Sequence, residues 1–198
     1  MRLFGDGLPG AVNCGGEMYP IRTDFREWMR FELLMLDKDI PDRMKLTLAN
    51  RLVFEKIPPV DTTEFLLWFY RCGVDPVPTK AKGTKSPPAA YSFEHDESMI
   101  FAAFMQCYRI DLCETEMHWW KFRALFDSLS DDTKIKNVMG WRVMDIDEKK
   151  LGAEQARHYK KLKELYKLPR SLSEQQKIDS MKRSLKASMR NPSAVTKS

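Results

Sequence analysis

Residues 118–141 constrain the fold of this chain more than any other segment, because they place an adjacent pair of tryptophans in a helical pattern. Trp119 and Trp120 cannot both face one side of a strand, since neighbouring strand residues point in opposite directions. On a helix, neighbours about 100° apart share one broad apolar face. Further apolar residues follow at helical spacing, namely Phe122, Phe126 and Leu129. The segment is therefore predicted to be helical.

The same periodicity recurs along most of the chain. Capping-box patterns, in which an acidic side chain returns to the cap residue, begin at Asp24 and Asp61. Pro41 fits the first turn of the helix between them, and Gly73 fits a left-handed helix end. Ser130 fits the cap of the helix that follows the tryptophan pair. We therefore predict an all-α protein with about six packed helices, two peripheral C-terminal basic helices and no convincing strand.

Large apolar side chains on these helices are expected to build one core. Met44, Leu48 and Leu52 repeat every four residues and predict the inward face of the second helix. The aromatic residues predicted to mark the core are Trp28, Trp119, Trp120, Phe122, Phe126 and Trp141.

Composition shifts along the chain predict four regions. A flexible arm, a helical core, a basic helical extension and a disordered tail are expected at 1–20, 21–146, 147–190 and 191–198. Within the core, residues 74–90 are rich in proline and lysine and predict an exposed loop.

The positive charge of the chain is concentrated at its C-terminal end. Residues 147–198 hold 14 Lys and Arg against 6 Asp and Glu, whereas the remainder holds 19 against 22. A basic surplus of this kind is typical of nucleic-acid binding, but no stacking aromatic cluster accompanies it. A solvated interaction segment fits equally well, and nucleic-acid binding remains an alternative.

Few residue groupings in the sequence match those that catalysis or metal binding requires. Gly5, Gly7 and Gly10 have a dinucleotide-binding spacing, but that motif needs a strand before it and a helix after it. Three groups of acidic residues lie beside predicted helix starts or turns, where helix capping explains the acidic side chains without a bound metal ion. The groups are Glu94, Asp96 and Glu97; Asp127, Asp131 and Asp132; and Asp145, Asp147 and Glu148. We therefore expect no enzymatic activity, no cofactor and no metal ion.

Histidine and cysteine are sparse and scattered. His118 lies four residues after Glu114, which would place both on one helical face, but a histidine packed among aromatics is the more common case. The four cysteines form no CxxC pair and are expected to be reduced and buried. No stretch of roughly 18 apolar residues predicts a membrane span, and no secretory leader is expected, so the expected location is the cytosol.

Three stretches of the sequence together resemble the bacteriophage Gp15 family, a set of tail-region proteins of long-tailed phages and prophages. They are YPIRTDFREWMRFE at 19–32, the segment 102–146 around HWWKFRALFDSLSDDTKIKNVMGWR, and YKKLKELYKLP at 159–169. The loop at 74–90 and the chain past Pro169 match least.

The resemblance implies a non-enzymatic tail-assembly chaperone in the cytoplasm of the host bacterium, absent from the mature virion. Its implied partners are the tape-measure protein, the tail-tube protein, an upstream companion chaperone and further copies of itself. A structural component that stays in the virion tail is the alternative that the resemblance also allows.

The thin apolar stripes of the two basic helices are the predicted partner contacts, because no intramolecular partner for them is evident in the sequence. Such stripes bury too little surface to be stable alone and are typical of helices that pack against another protein. The stripe residues are Tyr159, Leu162, Tyr166, Ile178, Met181 and Leu185.

Overall fold

The computed structural model of the protein describes residues 7–75 and 88–169. Part of the predicted arm, most of the predicted loop and the last predicted helix, which carries Ile178, Met181 and Leu185, lie outside the described residues. The described elements are β1 (Ala11–Cys14), β2 (Glu17–Pro20), α1 (Phe25–Leu36), α2 (Asp42–Val53), α3 (Thr63–Tyr70), α4 (Glu97–Tyr108), α5 (Trp119–Asp127), α6 (Lys134–Val143), α7 (Glu148–Leu151) and α8 (Ala153–Leu165).

The fold is mostly helical, but the prediction of a purely all-α protein is wrong because residues 11–20 form an antiparallel hairpin. Gly15 and Gly16 supply the positive φ angles, 66° and 93°, that a two-residue hairpin turn needs. The Asn13 side chain accepts a hydrogen bond from the Gly16 amide at 2.9 Å and closes the turn. Strands of four residues are too short to show a clear alternating pattern, so the periodicity of the sequence did not reveal them.

The segments that lead into α1 and α5 are joined by backbone hydrogen bonds. The Trp119 amide donates to the Thr23 carbonyl at 2.7 Å, and the Phe25 amide donates to the Met117 carbonyl at 2.9 Å. Asp24 caps α1 by accepting a hydrogen bond from the Arg26 amide at 2.9 Å, as its position predicts. The two helices therefore start side by side and direct their aromatic faces into one core.

Phe122 lies at the centre of this core and is fully buried. Its ring stacks on Phe25 and Phe104, with centroids 4.8 and 5.1 Å away, and also contacts Trp119 and Phe126. Trp28, Trp119, Trp120 and Phe126 are buried with it, whereas Trp141 is only half-buried and lies outside this cluster.

The adjacent tryptophans both bind the C-terminal end of α3. The indole Nε1 of Trp119 donates to the Tyr70 carbonyl, and that of Trp120 donates to the Phe69 carbonyl, each at 2.9 Å. Helix ends leave carbonyls without an intrahelical partner, and these two indoles supply partners from a distant part of the chain. The tryptophan pair therefore fixes α3 against α5.

Gly73 completes the same junction. The left-handed residue that ends α3 is Cys72, φ 57°, and not Gly73, so the predicted helix end is one residue too late. Gly73 follows with φ +70°, and its amide donates to the Trp68 carbonyl at 2.9 Å. A Cβ atom at this position would lie 2.9 Å from Cη2 of Trp120. Only glycine therefore allows the Trp120 ring to approach the chain this closely.

Several local predictions differ from the structure. Met44 is 47% exposed, because α2 turns Ala49 and Val53 inward instead. The N-cap residue of α6 is Thr133 and not Ser130, whose carbonyl instead accepts hydrogen bonds from the Thr133 amide and hydroxyl. The predicted return of Glu27 to the α1 cap is replaced by an ion pair with Arg30 at 2.8 Å.

The first basic helix predicted beyond residue 147 is divided into two. Gly152 has φ 80° and ψ 157°, a conformation that is essentially restricted to glycine, and it separates α7 from α8. Ala156 is fully buried, and α8 packs against both α6 and α7.

Candidate partner-binding surfaces

The C-terminal helix α8 is anchored to the core through its last residues. The Tyr166 ring packs on Trp141 with centroids 5.3 Å apart, and Lys134 lies above the same ring at 5.8 Å. The half-buried Tyr166 therefore packs against the protein's own core. The expectation that the apolar stripe of this helix has no intramolecular partner does not hold for Tyr166. Tyr159 and Leu162, the other described residues of the stripe, are also half-buried.

A buried ion pair holds this junction together. Arg142 on α6 donates to both carboxylate oxygens of Asp96, at 2.5 and 2.9 Å, and the two side chains are 7% and 1% exposed. Arg142 also donates to the Tyr166 carbonyl at 2.6 Å and to the Ala90 carbonyl at 3.1 Å. The Ser92 amide donates to Asp96 at 2.9 Å. One guanidinium thus connects the start of α4, the end of α8 and the chain segment at Ala90.

An open groove of about 500 Å³ lies beside this ion pair, and we call it the C-terminal groove. Its apolar lining consists of Pro88, Ala89, Ile146 and Leu168, and its charged lining consists of Arg142, Lys160, Lys163, Glu164 and Lys167. Each lysine has a protein acceptor: Lys160 binds Glu148, Lys163 donates to the Met144 carbonyl and Lys167 binds Glu164. The groove therefore combines an apolar strip with cationic groups held in place.

The end of α8 exposes one large apolar side chain. Leu165 is 69% exposed, the largest exposed fraction among the large hydrophobic residues of the described chain. Leu165 lies outside the predicted stripe, so the spacing of apolar residues did not indicate it as a partner contact. In the sequence, the one indication of an exposed contact is that Leu165 is a large apolar residue that does not belong to the stripe.

A second groove, of about 390 Å³, lies between the hairpin and α3, and we call it the hairpin groove. It is lined by Ala11, Val12, Asn13, Glu64, Phe65 and Trp68. Trp68 is 38% exposed, and its ring contacts Trp120 edge-on with centroids 5.4 Å apart. Periodicity does not predict this surface, because α3 beyond Glu64 is apolar on every face and no residue there is distinguished as exposed.

Buried ionisable groups cluster beside Tyr70, the last residue of α3. The carboxylate of Glu32 accepts hydrogen bonds from the hydroxyls of Tyr70 and Tyr91, and Arg123 donates to the Tyr91 hydroxyl at 3.0 Å. Burial raises the pKa of Glu32 above its usual range, and these donors oppose that shift. Every buried side-chain nitrogen and oxygen in the described residues has a hydrogen-bond partner. The cluster is thus a satisfied part of the fold.

The histidine considered as an acid–base candidate has structural contacts, and a buried cysteine, Cys72, is unreactive. His118 accepts a hydrogen bond from the Trp120 amide through Nδ1 at 3.0 Å, and Nε2 lies 3.1 Å from the Pro9 carbonyl. The neutral ring with its proton on Nε2 satisfies both contacts. Burial raises the pKa of Cys72 to about 11, which makes this thiol a poor nucleophile at neutral pH.

Two cysteines differ from the expectation that all four are buried. Cys107 is half-buried and Cys113 is exposed.

Of the three acidic groupings, the first contains Asp96, which is bound by Arg142. Within residues 7–75 and 88–169, no three His, Cys, Asp or Glu side chains converge as a metal site requires. None of the helices in the described part of the chain is long and apolar enough to cross a membrane.

The model of a protein family described as "Bacteriophage Gp15 protein" matches residues 4–168. No curated protein and no solved structure matches the chain.

Proposed function

The chain belongs to the bacteriophage Gp15 protein family, and from this premise we propose that it is a tail-assembly chaperone without enzymatic activity. In this proposal it binds the tape-measure protein and tail-tube subunits in the cytoplasm of the host bacterium while the tail is assembled. The observation that carries the proposal is the family match, which extends over 165 of the 198 residues.

The surface of the C-terminal helix supports binding of a helical partner. A tape-measure protein is a long amphipathic helix whose apolar stripe needs protection before assembly. The C-terminal groove offers an apolar strip flanked by lysines, which suits a helix with apolar and acidic side chains. Leu165 adds an exposed apolar side chain elsewhere on α8. Because Arg142 fixes the end of α8 on the core, this surface is presented in one orientation.

Co-expression with the tape-measure protein encoded beside this chain tests the proposal. We expect the tape-measure protein to become more soluble and to be retained with the tagged chain. Leu165→Glu should weaken this retention, because it replaces an exposed apolar contact with a charge of the sign expected on the partner. Met18→Glu, at a 59% exposed residue of the hairpin, is the matched control. Unchanged solubility and no complex would refute the role.

A second experiment distinguishes a chaperone from a structural tail protein. Mass spectrometry of purified virions should detect no peptide of this chain if the chain acts only during assembly. Its presence at a fixed ratio to the tail-tube protein would favour a component that stays in the tail.

A further inference from the structure

The outer edge of β1 has hydrogen-bonding groups without partners among the described residues. The Ile21 amide donates to the Gly10 carbonyl at 3.0 Å, so the pairs that bond β1 to β2 fall at Gly10, Val12 and Cys14. The backbone N–H and C=O groups of the intervening residues, Ala11 and Asn13, therefore point away from β2. The described sheet contains two strands only, and no other described residue bonds to these groups.

The hairpin groove lies along β1 and has an aromatic wall. Phe65 and Trp68 of α3 line it opposite Ala11 and Asn13, and Val12 completes its apolar lining. An edge strand facing a helix across an apolar groove is the arrangement by which a protein adds an extended peptide to its sheet. Main-chain hydrogen bonds supply the affinity, and pockets for alternate side chains supply the specificity.

The size of the site indicates what occupies it. A four-residue edge is about 13 Å long. Stable protein dimers bury about 1,200–2,000 Å², far more than an edge of this length offers, so a second copy of the chain is a poor fit. A groove of about 390 Å³ is instead at the small end of the range for bound ligands.

The charge of the groove favours a basic residue in the bound segment. Glu64 is the one charged residue among those described as lining it, and it is exposed at the groove. A lysine or arginine in the bound segment would pair with this carboxylate.

We propose that the hairpin groove binds a short extended segment of a partner protein, which pairs with Ala11 and Asn13 as a third strand. The segment places alternate apolar side chains against Phe65 and Trp68 and a basic side chain beside Glu64. This site is separate from the α8 surface, so the proposal goes beyond the chaperone role and does not depend on it.

Selection from a displayed library of random linear dodecapeptides, with the full chain as target, tests the proposal. Enriched peptides should alternate apolar residues and carry a lysine or arginine. Ala11→Pro removes one outward N–H and should weaken their binding at least tenfold. Met18→Pro is the matched control, because Met18 pairs with Asn13 and its N–H points away from β1, toward the opposite edge.

Side-chain variants keep the test decisive if a proline disrupts the hairpin. Trp68→Ala should also weaken peptide binding at least tenfold, whereas Met44→Ala, at a 47% exposed residue of α2 outside the groove, should leave it unchanged. Glu64→Gln should weaken only the peptides that carry a basic residue. The proposal is overturned if no peptide is enriched over the bare support. It is equally overturned if the enriched peptides bind Ala11→Pro and Trp68→Ala as tightly as the unaltered chain.

Discussion

Gly73→Ala should destabilise the protein more than the same change at another left-handed glycine. The added Cβ would lie 2.9 Å from Cη2 of Trp120 and 3.5 Å from Cζ2. Trp120 has little room to move, because its ring is 4% exposed and its Nε1 donates to the Phe69 carbonyl. The substitution therefore strains the backbone and also displaces a buried ring.

The two contributions can be separated with a matched variant. Left-handed backbone costs an L-residue about 1–2 kcal/mol, and forcing extra atoms into a packed core costs about 1–3 kcal/mol. Gly15 has a similar φ, 66°, with nothing within 4 Å of its added Cβ, so Gly15→Ala carries only the first cost. The change in unfolded-chain entropy on replacing glycine is common to both variants and cancels in the comparison.

Thermal unfolding followed by circular dichroism measures the difference. For a domain of this size each kcal/mol lowers Tm by about 2–4 °C, so Gly73→Ala should lower it by on the order of 10 °C and Gly15→Ala by about 5 °C. Trp120→Phe removes the atom that the new Cβ meets. In that background, the effect of Gly73→Ala should fall to that of Gly15→Ala. Equal Tm values for Gly73→Ala and Gly15→Ala in the unaltered background would refute the reasoning.

Three further substitutions test other parts of the core. Arg142→Leu leaves the Asp96 carboxylate buried without its cation and should lower the free energy of unfolding in urea by about 3–5 kcal/mol. Adding Asp96→Leu should recover part of that free energy. A double variant no more stable than the single variant would contradict this. Phe122→Ala should cost about 3–5 kcal/mol, because five aromatic rings contact Phe122; a loss below 1 kcal/mol would show that the core collapses around the gap. Burial lowers the pKa of His118, so the unfolded chain binds the proton more readily, and stability should fall as the pH drops below about 6.5 toward that lowered pKa. His118→Asn, which retains a capping oxygen, should flatten this dependence, and an unchanged slope would assign it to other groups.

Helical periodicity predicted most of the core but not its junctions. Trp28, Trp119 and Phe122 are on the apolar faces that their spacing indicates. Trp141 could not be assigned from spacing alone, since its place against Tyr166 depends on how α8 returns to α6. The hairpin was missed because its strands are short and are held by turn glycines and buried contacts rather than by a long alternating pattern.

The candidate surfaces were less predictable than the core. The stripe of α8 was identified by its spacing, but its anchoring depends on Arg142, and no sequence pattern links Arg142 to Asp96 across 46 residues. The hairpin groove depends on the edge of one strand and the exposed side of an apolar helix. Both follow from tertiary placement, which periodicity does not contain.

The indole hydrogen bonds at the end of α3 also determine when the N-terminal half of the chain becomes stable. An eight-residue helix is not stable by itself in water, and the partners of its last carbonyls lie 49 and 51 residues further along the chain. The start of α1 likewise depends on the Met117 carbonyl. During synthesis, a nascent chain that ends before Trp119 lacks the partners of these carbonyls, so we expect α3 to become stable only after α5 has left the ribosome.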